Sequence, residues 1–148
     1  MTETKTRPPH FNHVAMSVPS ALLEPEGRAE LTAFYADVFG WQELPTETVD
    51  GQKLVFGVHT VEQFVFLIAD DPPMTCPRLD HYGLSVQTEA ELDAVLAKAK
   101  AWHARDERVD IVDKKTDDHG MLAITSIYVR YLLPMMVEIQ WWDWKGSR

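Results

Sequence analysis

The chain has 148 residues, with 14 Lys and Arg against 23 Asp and Glu, a net charge of −9 at pH 7. That length fits one domain, or two small halves sharing a core, and the 45% hydrophobic and 25% charged content is that of a soluble globular protein. The acidic balance argues against nucleic acid or an anionic membrane as partner, no apolar run approaches the ~20 residues that cross a bilayer, and a single cysteine, Cys76, excludes an internal disulfide and a Cys-rich zinc site and suits a cytoplasmic setting.

Residues 1–10 read as a polar, flexible tail with two prolines and no apolar signal core. Residues 11–18, Phe-Asn-His-Val-Ala-Met-Ser-Val, alternate like a half-buried strand. Phe11, His13, Ala15 and Ser17 share one face, which suits a cavity wall; Val14, Met16 and Val18 share the other, which suits packing on helices. A loop over 19–27 leads to a helix with Leu31, Phe34, Tyr35 and Val38 on one stripe and Gly40 as its stop. Strand-like stretches follow at 41–44, 54–58 and 64–68, and a proline-rich link covers 71–78. The opening pattern then recurs with an offset of 68 residues, as Leu-Asp-His-Tyr-Gly-Leu-Ser-Val at 79–86. Thr88 and Glu91 predict a capping box, and Leu92, Val95, Leu96 and Ala99 an apolar helical stripe behind it. Strands at 108–112, 121–128 and 136–142 complete the second half, so each half reads strand, helix, then about three strands.

Two such units, each headed by an apolar-Asn/Asp-His strand, resemble the vicinal oxygen chelate superfamily of glyoxalases, bleomycin-resistance proteins, methylmalonyl-CoA epimerases and type I extradiol dioxygenases. The resemblance spans about residues 11–142. It implies an α+β fold of two βαβββ modules in tandem, 11–70 and 79–144, whose sheets form a cupped mixed sheet around a metal cavity.

Three residues suit that metal. His13 and His81 occupy equivalent places in the repeat, and Glu138 sits in the otherwise apolar last strand, where an ionised carboxylate needs a partner. Two imidazoles and a carboxylate form the triad typical of non-haem Fe(II) oxygenases; Mn, Zn, Ni or Co would fit the same ligands. The competing structural roles are hydrogen-bonded strand histidines, and a Glu138 that pairs with Arg130 or faces solvent. Relatives often add a fourth protein ligand from the first module, and aligning 65–67 with 137–139 puts Phe66 there. Phenylalanine cannot coordinate, which agrees with extradiol dioxygenases.

The resemblance also implies an acid/base role for His59 in the His-Thr segment at 59–60, where the alternative is a surface histidine in a turn. The spacing of His119, Tyr128 and Glu138 is similar to the dioxygenase signature, giving Tyr128 a hydrogen bond to a substrate oxygen and His119 a place in the pocket wall. Tyr131-Leu132 departs from that signature, so either Tyr128 or Tyr131 points inward. Trp141, Trp142 and Trp144 suit a core or a subunit interface, and relatives of this kind often form homodimers. The leading expectation is an Fe(II) dioxygenase acting with O2 on a catechol-like aromatic. The alternatives are a metal-dependent lyase or isomerase acting on a vicinal-oxygen substrate, and a metal-free protein that binds an aromatic drug.

Overall fold

The strand that heads each repeat lies at the edge of its own four-stranded sheet. In the computed structural model, which describes residues 7–146, the first module runs β1 (His13–Val18), α1 (Pro25–Phe39), β2 (Gln42–Glu43), β3 (Lys53–Gly57) and β4 (Phe64–Ala69). The second runs β5 (His81–Val86), α2 (Glu89–His103), β6 (Val109–Asp118), β7 (Leu122–Tyr131) and β8 (Met136–Trp144). The sheet orders are β1-β4-β3-β2 and β5-β8-β7-β6, with the first and last strands of each module parallel and the rest antiparallel. These are the two βαβββ modules expected, as two mixed sheets that do not close on one another. Most of the predicted tail, residues 1–6, lies outside the described residues.

Alternation decides which face of each sheet is covered. Met16 and Val18 on β1, Val65 and Leu67 on β4, and Val137 and Ile139 on β8 are buried under the helices, whereas His13, Ala15, His81, Gly83 and Ser85 are exposed on the opposite faces. From the helices, Leu31, Phe34, Tyr35 and Val38 of α1 and Leu92, Leu96 and Ala99 of α2 join the same core. The modules meet there, helix against helix. Phe34 packs edge-on to Trp102 and against Tyr131, and the Tyr35 hydroxyl donates to Tyr131 O and accepts from Tyr131 N–H. β1 and β5 are not paired with each other.

Local signals explain the helix ends and one departure. The Thr88–Glu91 capping box starts α2, and Gly40, at φ 73, ends α1 in the left-handed region. Helix α1 begins earlier than its apolar stripe suggests, within the expected 19–27 loop, because Pro25 stands at the first helical position, where its missing N–H costs nothing. Gly27 is needed inside that helix: a Cβ there would lie 2.4 Å from Ala21 O in the preceding turn. β6 runs longer than expected, to Asp118, and its register with β7 slips by one residue between Val112 and Lys115. Among the described residues no helix is long and apolar enough to cross a membrane.

Candidate metal centre

β5 and β8 lie side by side with Gly83 opposite Glu138, so His81 and Glu138 project from the same open face. A Cβ on Gly83 would lie 3.6 Å from Glu138 Oε2, so a small residue leaves room beside that oxygen. The His81 Nδ1–H donates to Leu79 O at 2.8 Å, and Nε2 lies 3.1 Å from Glu138 Oε2, where the neutral ring presents a lone pair and the protonated ring a donor. Two acceptors that close repel unless a proton or a cation lies between them. Glu138 is only 7% exposed, which sharpens the need. Its other oxygen, Oε1, accepts from the Tyr128 hydroxyl at 2.8 Å and from Gln140 Nε2 at 3.0 Å. The donor set thus fits a divalent cation: a neutral imidazole whose far nitrogen is tied to a carbonyl, and a carboxylate with one oxygen spoken for.

Tyr128 stands opposite Glu138 on β7 and meets the His81 ring edge-on at 5.0 Å. Burial first, and then the Glu138 carboxylate, push its phenol up to about 12, so it remains a donor at neutral pH. These residues line an open cavity of about 460 Å³ together with Asp117, His119 and Ser126. Tyr131 points the other way, into the core between the modules, where its hydroxyl donates to Asp106. Arg130 pairs with Asp110 rather than with Glu138.

The first module supplies a matching but incomplete half. His13 Nδ1 bonds Asn12 Oδ1 at 2.7 Å, and its ring stacks on Phe64, its neighbour on β4, at 4.6 Å between centroids. His13 and His81 therefore share one arrangement: Nδ1 is tied to a carbonyl oxygen and Nε2 is left for a ligand. The registers also match, since Ala15 faces Phe66 as Gly83 faces Glu138. Within one chain, though, His13 does not join His81 and Glu138, and among the described residues no three His, Cys, Asp or Glu side chains converge. His59 likewise lies outside that cavity and lines a cleft of about 230 Å³ between the modules, with Trp41, Gln63 and Ser85. Sequence reasoning missed Gln140. Its signal was the period-two spacing from Glu138, which puts it on the same face of β8.

No family model and no curated protein matches this sequence. Solved structures do. A lactoylglutathione lyase from Agrobacterium tumefaciens superposes with a TM-score of 0.62 at 19% identity, covering 91% of this chain and 95% of that one. A mutant of the fosfomycin resistance protein FosX from Listeria monocytogenes, solved with Mn(II) and a dihydroxypropylphosphonic acid, gives 0.62 at 16% identity over 93% and 90%. A glyoxalase/bleomycin resistance protein/dioxygenase family enzyme from Burkholderia phytofirmans gives 0.60 at 14% identity over 87% and 95%. This is the vicinal oxygen chelate fold. The vicinal oxygen chelate architecture accounts for the equivalent placing of His13 and His81 on the open faces of two like modules.

Proposed function

We propose that this protein is a divalent-metal enzyme whose site is completed by two copies of the chain, His13 of one protomer facing His81 and Glu138 of its partner. Both histidines stand on sheet-edge strands, whose backbone groups call for cover. The first sheet's open face also carries exposed apolar groups: Phe64 and Phe66 line a groove with Leu44, the fully exposed Val61 and the charged Glu47 and Lys53, and Ile68 is 40% exposed. A twofold axis would bury that face and generate two equal sites.

The reaction supported best is O2-dependent ring opening of a catechol-like aromatic. The observation behind it is the matched register that sets Phe66 at the place where Glu138 stands in the second module, so the first module offers no carboxylate there. A bound Fe(II) would supply open positions for two vicinal substrate oxygens and for O2. Phe64 and Phe66 would hold the aromatic body and exclude water; Tyr128 and Gln140 would fix Glu138; and His59, carried on the same module as His13, would take the catechol proton and return it to the product. A second reading, a lyase or isomerase using the metal as a Lewis acid, is favoured by Tyr128: its hydroxyl is committed to Glu138 instead of being free for substrate.

The deciding experiment loads the protein with Fe(II) under argon and follows O2 uptake and the yellow ring-fission product across mono- and bicyclic catechols. Consumption of O2, slowed roughly 10²–10⁴-fold in His59→Ala, is the expected result. Metal binding with no O2 uptake would move the assignment to the lyase or isomerase. Failure to bind any metal would leave a metal-free binding protein for aromatic compounds.

A further inference from the structure

The two oxygens of Glu138 are treated differently. Oε1 takes two donors, whereas Oε2, among the described residues, faces only Nε2 of His81, at 3.1 Å. One of those donors is an amide, which can present either its oxygen or its nitrogen. Glu138, as an acceptor, calls for the nitrogen, and Trp142 secures that choice from the other side. Trp142 is the next residue on the same face of β8, and its indole Nε1–H donates to Gln140 Oε1 at 2.9 Å. An indole N–H has no acceptor capacity, so Gln140 must give Trp142 its oxygen and give Glu138 its NH2.

We propose that Gln140, set by Trp142, is a positioning residue that makes Glu138 a one-oxygen ligand for a divalent cation beside His81. This rests on the metal site proposed above. With Oε1 held from β7 by Tyr128 and from β8 by Gln140, the carboxylate cannot offer both oxygens without breaking two hydrogen bonds. One coordination position is thereby kept open that a bidentate carboxylate would fill. Alternate residues of one strand, 138, 140 and 142, provide ligand, orienter and lock.

The test uses the full-length protein and Co(II), whose visible absorption weakens sharply as coordination rises from five to six, with affinity measured by calorimetry. Gln140→Met keeps the volume but removes both amide groups; Co(II) affinity should fall about tenfold and the absorption should weaken. Trp142→Phe should move both readouts the same way by about threefold. Trp142→His, which retains a ring N–H, should restore them. Trp142 is exposed, so these two variants spare the core. Wild-type affinity and spectrum in Gln140→Met would overturn the proposal, and an unchanged Trp142→Phe beside an altered Gln140→Met would overturn the role of the lock. If the wild-type protein takes up no Co(II), or Glu138→Ala takes it up equally well, the metal site itself is wrong.

Discussion

At the scale of single residues, the chain's four tyrosines all have phenols pushed upward, in each case chiefly by burial. Tyr128 and Tyr131 reach about 12, with the neighbouring Glu138 and Asp106 carboxylates adding to the effect. In the unfolded chain all four would ionise near ~10. Between those values the folded state keeps protons that the unfolded state has released, so the tyrosines' contribution to stability is constant below pH 10 and falls as pH rises through 10 to 12. Absorbance at 295 nm should therefore show little phenolate at pH 10.5 in the folded protein, with a steep rise on unfolding. A gradual titration centred on pH 10 would mean that the hydroxyls are not held as described.

At the scale of elements, the Tyr35–Tyr131 contact joins α1 to β7 across the module boundary. Tyr35→Phe would leave the Tyr131 carbonyl and N–H without their buried partner and should cost about 1–3 kcal/mol. Urea unfolding followed by fluorescence would measure it, and a loss well under 0.5 kcal/mol would show that the boundary rests on apolar packing alone. The elements themselves were largely legible in the sequence. Alternation on β1 and β5 distinguished the covered face from the open one, and Thr88 with Glu91 announced α2, because both are local consequences of backbone geometry. The start of α1 was hidden because Pro25 and Gly27 read as loop residues unless the fit of Gly27 under Ala21 is known. In the candidate site, the repeat and the signature spacing singled out His81, Tyr128 and Glu138, which the structure brings into contact. The relation of His13 to them was not legible, since two modules joined through their helices present their open faces in ways that no repeat period encodes. The choice between Tyr128 and Tyr131 turned on strand parity beside the sheet's covered face, which the departure at Tyr131-Leu132 obscured.

At the scale of the whole molecule, the proposed sharing of each site between two protomers makes a prediction that a single-chain site would not. His13→Ala and Glu138→Ala should each abolish high-affinity metal binding. Unfolded together in equal amounts and refolded, they should recover about one quarter of the wild-type sites, because half of the dimers would be mixed and each mixed dimer would hold one intact site. Calorimetry on the mixture, with light scattering for mass, would measure both terms. A monomeric mass, or a mixture no better than its components, would reject the shared site.

The one-residue slip in β6 has a consequence for how the cavity can change. Before it, Val112 lines the cavity; after it, Lys115 and Asp117 do, while Lys114 reaches back to Glu89 and Asp93 on α2 and Thr116 bonds the buried Thr125. The bulge takes up the extra residue, so Lys115 and Asp117 keep the open side, paired with Ser126 and Ile124. Deleting one residue at 113 or 114 would remove the bulge yet leave Lys115 and Asp117 on the cavity side, while β5 and β8, which carry His81 and Glu138, kept their pairing. The bulge thus lets this hairpin gain or lose a residue at one point while the side chains beyond it go on facing the cavity and His81 and Glu138 stay where they are.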